Sequence, residues 1–393
     1  MVRAFHAEGM EVILQFYFPK EINREMILEV IRYWVCEYHI DGVHLMGEQI
    51  PVGILAADPM LTDTKLIYYG FPYEEIYPVG QVPDVRNLAE CRDEFQYDMR
   101  RFLKGDEDTL HQALRRMRCN PVQNGVINYI TSYEGFSLAD LVSYDRKHNE
   151  ANGEDNQDGN PYNASWNCGV EGPTRKRTIL QLRKRQMKNA LALLLFSQGT
   201  PMLTAGDEFG QSREGNNNPY CQDNEISWTN WHLDKGRKEL LAFVSKLIHL
   251  RLDHPVLHRR RFFTGREPGD DSNTIPQVEW FDHTGSIMDM DDWQNTHAFS
   301  MMIYLNGSDI PEVDWYGNRM VDNDFILIFN AHYEPIMFTL PDERYGRKWQ
   351  LVVDTHNPNE PALSYEAGFM ITAQSRSFLM LMSAKKPKKP MGL

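Results

Sequence analysis

The chain has 393 residues, 42% hydrophobic and 11% aromatic, enough to bury a sizeable core and to argue against disorder; this length predicts one large domain with a smaller one. A net charge of −14 disfavours nucleic acid and anionic membrane as partners and suits a soluble protein with a neutral ligand. Five scattered cysteines, Cys36, Cys91, Cys119, Cys168 and Cys221, form no CxxC pair, which speaks against zinc and against a disulfide framework.

In chain order, Glu11–Phe18 is a short apolar and aromatic run suited to a buried parallel strand. Asn23–Tyr38 places Met26, Ile27, Val30, Ile31, Trp34 and Val35 on one helical face. Asp41–Gly47 and Lys65–Phe71 read as strands, and Glu94–Met117 as one charged amphipathic helix. Val126–Ser132 is a strand leading into a polar, Asn- and Gly-rich loop from Lys147 to about Pro173; Arg175–Ser197 is a helix, and Pro201–Ala205 a strand before a second long polar loop. Lys235–His254 is a helix that Pro255 helps to end. Beyond about Arg259 short strand-like runs follow one another: Val278–Phe281, Ala298–Leu305, Phe325–Ala331, Met337–Leu340, Gln350–Asp354 and Ser377–Met382. Alternating β and α units predict a parallel sheet, with a doubly wound sheet and a TIM-type barrel both open; the later runs predict a small antiparallel β-sandwich. The expected division is residues 1–258, 259–384 and a disordered basic tail over 385–393. The longest apolar run, Ala190–Phe196, is too short for a membrane span, and the N-terminus lacks a signal-peptide pattern, so a cytoplasmic location is expected.

The stretch from Asn128 to Trp231 carries NYITSYEGFSLADLVSYDRKHNEANGEDNQDG, WNCGVEGPT and QGTPMLTAGDEFGQSREGNNNPYCQDNEISWTNW. It resembles the C-terminal half of the catalytic barrel of isoamylase-type glycogen debranching enzymes, in the alpha-amylase superfamily of glycoside hydrolases. DHPVLHRRRFFTG, MMIYLNGS and FILIFNAHYEPIMFTLP extend the likeness toward the C-terminus. The resemblance implies a (β/α)8 barrel followed by a β-sandwich. MVRAFHAEGMEVIL resembles the helix leading into the third barrel strand, so a partial barrel of strands 3 to 8 is expected. Closure takes eight strands of matched tilt and shear. The expectation is therefore a chain that is poorly stable alone or completed by another chain.

Retaining glycosidases need a nucleophilic carboxylate and a second carboxyl as acid/base. Against the family's EVILDVVYNH, this chain reads EVILQFYFPK, with Gln15 for an Asp and Lys20 for a His. GFRFD becomes GVHLM, placing His44 at the Arg and Met46 at the nucleophile; a thioether has no carboxylate with which to attack the anomeric carbon. KLIAEPWD becomes KLIYYGFP, with Tyr69 at the acid/base, and phenols, titrating near 10, shuttle protons poorly at neutral pH. THDGF becomes SYEGF: Tyr133 replaces the His, and Glu134 keeps a carboxylate one methylene longer.

The loop framework matches the family, and the resemblance implies substrate-binding roles for His148, Asn149, Glu150, Trp166, Asp207, Glu208, Asn217, Tyr220 and Asp223. Amides and carboxylates would bond sugar hydroxyls, while Trp166, Tyr220, Trp228 and Trp231 could stack on pyranose rings; the alternative is that these loops only brace one another. The NEANGEDNQDGN run is rich in oxygen ligands but lacks the EF-hand pattern and reads as a solvated loop. No metal and no cofactor is expected: Walker, GxGxxG and GxSxG motifs are all absent. The leading expectation is a catalytically inactive relative that binds α-glucan (glycogen or amylopectin-like) or assembles with an active isoamylase. The alternatives are a weak α-1,6-glucosidase using Glu134 and a truncated relic without function.

Overall fold

The structure, a computed structural model, describes residues 1–77, 87–119, 121, 123–259, 263, 265, 274–314, 316–358 and 363–383. The expected tail over 385–393 and much of the composition break near 259–265 lie outside them. The chain divides into two compact units, Met1–Arg92 with Asn120–Asn128 and Asp93–Cys119 with Tyr129–Leu393.

In the first unit, α1 (Val2–Ala7), α2 (Arg24–Tyr38), α3 (Val52–Ala56) and α4 (Tyr73–Ile76) accompany β1 (Ile13–Phe18), β2 (Gly42–Gly47), β3 (Lys65–Ile67), β4 (Leu88–Cys91) and β5 (Gly125–Asn128). The five strands are parallel and hydrogen-bonded in that order. Side chains alternate across each strand. Phe18, Val43, Leu45, Leu66 and Leu88 enter a core that Ile27 and Ile31 of α2 complete. The Asn23 side chain caps α2 by accepting from the Glu25 amide at 3.0 Å, and His39, at φ 55°, ends it. Three expectations change here, the first being Val126–Ser132, where the strand runs only over Gly125–Asn128. Lys65–Phe71 yields only a three-residue strand, because the chain turns at Tyr69 and Gly70, where Gly70 has φ 77°. β4 went unread because four residues with a buried Glu90 among them give too short an apolar pattern.

The second unit opens with α5 (Asp93–Lys104) and α6 (Leu110–Met117), two helices where the sequence suggested one. Gly105 breaks the run at φ 81°, and a Cβ there would meet the Arg376 guanidinium at 2.4 Å. Then follow α7 (Leu138–Leu141), α8 (Arg177–Phe196), β6 (Thr200–Pro201) and α9 (Lys235–Asp253). Six strands thus alternate with helices along the chain, as a partial (β/α)8 barrel requires.

The remainder is antiparallel: β7 (Val278–Phe281), α10 (Met290–Gln294), β8 (Ser300–Leu305), β9 (Phe325–Asn330), β10 (Ile336–Thr339), β11 (Lys348–Asp354), β12 (Ser364–Glu366), β13 (Met370–Ala373) and β14 (Ser377–Ser383). One sheet runs β12-β11-β14-β9-β8-β7, and β10 pairs with β13. Every residue of β9 is buried. Phe325, Leu327 and Phe329 join a core with Phe95, Phe102, Leu194 and Leu247, while Ile326 and Ile328 join one with Phe338, Trp349 and Ile371. The six-stranded sheet therefore has a helical layer on one face and the β10–β13 ribbon on the other. The short strands β12 and β13, with their largely exposed residues, escaped the sequence pattern.

Candidate functional site

Met46 and Tyr69 belong to the first unit. Met46 is half-buried near the end of β2, in register with Tyr17 of β1. It shares a face with His44, opposite the core-facing Val43 and Leu45. Gly47 ends the strand at φ 123°, its backbone so close to Phe18 that a Cβ would lie 2.1 Å from that carbonyl oxygen. Burial pulls the His44 imidazole below its ordinary pKa, so at neutral pH it is an uncharged group where the resemblance implies an arginine. Tyr69 stands just past β3, 80% exposed. Gln15 is exposed on β1, and Lys20 pairs with Glu48 at 3.4 Å.

Glu134 belongs to the second unit and lies exposed in the loop after Tyr129 and Ile130; its backbone carbonyl accepts from the Ser132 hydroxyl at 2.6 Å. Nearby in sequence, the buried Thr131 hydroxyl donates to Asp207, which also accepts from the Leu138 amide at 2.8 Å. Burial pushes the Asp207 carboxyl up to about 6, against the pull of those hydrogen bonds. Glu208 accepts from the Gly206 amide at 2.8 Å and so closes its own turn.

The two polar loops of this unit meet in a web of side-chain amides. Asn149 is fully buried: its amide nitrogen donates to Asn217 Oδ1 at 2.9 Å and to the Asp158 carbonyl at 3.0 Å, and its oxygen accepts from the Asn217 backbone at 2.9 Å. Asn217 donates onward to the Asn160 carbonyl at 2.7 Å and Asn163 Oδ1 at 3.1 Å. Asp158 Oδ2 accepts from Asn152 at 2.7 Å, Asn218 at 2.9 Å and Asn149 at 3.3 Å. These donors, Asn152 foremost, hold its carboxyl below the usual carboxylate range. The oxygen-rich run is thus occupied by amide donors, and among the described residues no group of three or more His, Cys, Asp or Glu is arranged to hold a metal ion. Asn149 and Asn217 brace the loops from inside. Glu150 is exposed and accepts from Asn156 at 3.3 Å. Trp166 is half-buried, its ring faced by the Arg376 guanidinium at 5.0 Å.

Other predicted residues remain at the surface. Tyr220 is 68% exposed and donates to Glu154. Trp228 is 58% exposed, with its Nε1 donating to Asp223 at 3.0 Å. A cleft of about 1120 Å³ has Tyr144, His148, Glu171, Glu214, Trp228 and Arg237 in its walls. His148 Nε2 lies 3.2 Å from Glu171 Oε1, and its ring meets the Tyr144 ring edge-on at 5.2 Å. Burial raises the Glu171 carboxyl, but hydrogen bonds from the Asp145 amide, Asn167, the Arg146 amide and His148 outweigh it, leaving an anion below the usual range. Arg237 donates to the Phe209 and His232 carbonyls and to Gln211 at 2.8 Å, with its guanidinium 4.9 Å from the Phe209 ring centre. Of the predicted residues, His148 and Trp228 line this cleft. Asp158, Glu171, Glu214 and Arg237 were not singled out, since polar loop residues carry no periodicity; the one signal was the density of Asn and Asp from 147 to 173.

Residues 277–371 match the family described as "Isoamylase, C-terminal". Over 380 residues the chain is 39% identical to the "Glycogen operon protein GlgX homolog" of Mycobacterium tuberculosis, covering 91% of this chain and 52% of that one. The chain is a homologue of the isoamylase and GlgX glycogen-debranching proteins. It is also 34% identical over 373 residues to "Isoamylase 3, chloroplastic" of Oryza sativa subsp. japonica, covering 86% of this chain and 43% of that one. This isoamylase/GlgX homologue spans about half the length of the curated relatives it matches. Its fold is similar to part of a pullulanase type I from Bacillus subtilis str. 168, solved in complex with maltose: TM-score 0.65 at 16% identity, over 98% of this chain and 55% of that one. The barrel-and-sandwich expectation agrees with that likeness.

Proposed function

We propose that this isoamylase/GlgX homologue is a catalytically silent α-glucan-binding protein of glycogen or starch metabolism, working in the cytoplasm as a binding or assembly subunit. The observation that carries the reading is the pair Met46 and Tyr69, at the positions where the resemblance calls for a nucleophilic carboxylate and an acid/base carboxyl. Neither a thioether nor an exposed phenol performs those steps at neutral pH. Support for binding comes from the surface of the second unit, where Tyr220, Trp228 and Trp231 are exposed between braced polar loops. Aromatic faces beside hydrogen-bonding groups suit pyranose rings. Several neighbours in fold are pullulanases solved with maltose or longer maltooligosaccharides.

The test is a native gel cast with and without glycogen. Retardation in glycogen relative to a non-binding protein is the expected result; unchanged mobility, with a known glycogen binder retarded alongside, overturns the binding role. The exposed Glu134 carboxylate leaves one competing reading, a weak α-1,6-glucosidase. Reducing ends released by the wild-type chain and not by Glu134→Gln would establish it.

A further inference from the structure

The cleft of the second unit has a volume of about 1120 Å³, at or above the upper end for small-molecule sites, and so has room for several linked rings. Its walls differ sharply in what they leave available. Glu171 accepts four hydrogen bonds from the protein, and Arg237 is bound by two carbonyls and Gln211. Both therefore build the site rather than bond a ligand. Glu214 and Glu225, by contrast, line the cleft exposed. Trp228 presents its ring to the same space, fixed by three hydrogen bonds: Nε1 to Asp223, its amide to the Asn224 carbonyl at 2.9 Å, and its own carbonyl accepting from Gln211 at 3.4 Å. An aromatic plane held in place but left 58% open to water is a preorganised stacking surface.

The charge in the cleft then selects the ligand. Glu171, Glu214, Glu225 and Asp234 line it against Arg237 as the one Lys or Arg among the lining residues, and that guanidinium is already engaged. A phosphate would meet like charges with no free cation to receive it. A neutral polyol with an apolar ring face meets a stacking plane and carboxylate acceptors for its hydroxyls. Resting on the glucan-binding reading above, we propose that this cleft of the second unit is a maltooligosaccharide site in which Trp228 is the stacking platform and the carboxylate rim excludes phosphorylated glucan.

Titration calorimetry of the full chain tests this with two probes, maltoheptaose and maltoheptaose carrying a C6 phosphate monoester. Trp228→Ala should weaken maltoheptaose binding about tenfold or more, while Trp228→Phe, which keeps a ring but loses the bond to Asp223, should stay within about threefold. The phosphorylated probe should bind about tenfold more weakly than maltoheptaose, and the double variant Glu214→Gln/Glu225→Gln should narrow that gap. If Trp228→Phe loses affinity as fully as Trp228→Ala, the tryptophan braces the loop and the platform is refuted. If Trp228→Ala leaves affinity unchanged while the chain is still retarded by glycogen, glucan binds elsewhere: this site is refuted and the wider reading stands. Equal affinity for the two probes refutes the charge selection. Absence of glycogen retardation in the wild type overturns both readings together.

Discussion

Asp207 holds a carboxyl almost out of water between one hydroxyl and one backbone amide. With its value raised to about 6 by burial, the folded state binds this proton more tightly than the unfolded chain, where an aspartate titrates near 4. Its contribution to stability is complete below about pH 4 and is lost as pH rises through about 6, a change on the order of 2–3 kcal/mol. Asp207→Asn should remove that component. Urea unfolding at pH 4 and pH 7 should show the wild type losing stability relative to the variant over that interval; parallel behaviour would contradict the assignment. Asn149 makes the complementary case, a neutral amide whose worth lies in what it satisfies. Asn149→Ala strands the Asn217 amide and opens the web around Asp158, at a cost of about 3 kcal/mol, readable as a lower urea midpoint. A loss under about 0.5 kcal/mol, the range of ordinary surface substitutions, would mean that water replaces those bonds freely.

At the scale of elements, the break between α5 and α6 rests on one glycine. Gly105 sits at φ 81°, with the Arg376 guanidinium stacked where a Cβ would project; Arg376 in turn donates to the Lys104 carbonyl at 2.7 Å, meeting an acceptor at the end of α5. Gly105→Ala should destabilise by about 1–2 kcal/mol through the left-handed backbone and the displaced arginine. An unchanged thermal midpoint would show that the two helices can merge, as the hydrophobic pattern of 94–117 suggests. That pattern explains why most elements were readable. α2, α8, α9 and the strands β7, β8, β9, β11 and β14 carry apolar residues at the right spacing and bury them. The strands that escaped are those with least apolar pattern: four-residue β4, three-residue β12 and the half-exposed β13. The break at Gly105 escaped for a different reason, because a single positive φ leaves no mark on periodicity.

For the whole molecule, the family resemblance carried what periodicity could not. It chose the barrel over a doubly wound sheet and assigned Met46 and Tyr69 their positions, while the residues of the amide web and the cleft became visible only once the loops were seen folded together. Asn149 and Asn217 were read as sugar contacts and are instead buried in mutual hydrogen bonds; Trp228, read as a stacking residue, stands open at the cleft. Under the proposed reading, this polar framework and Met46 and Tyr69 at the strand ends belong to a molecule that holds glucan rather than cuts it. The direct test is reducing-end release from glycogen by the purified chain, at a protein concentration where a native gel shows it bound. The account predicts binding with no release above the protein-free blank. Release that scales with the chain and disappears in Glu134→Gln would contradict it.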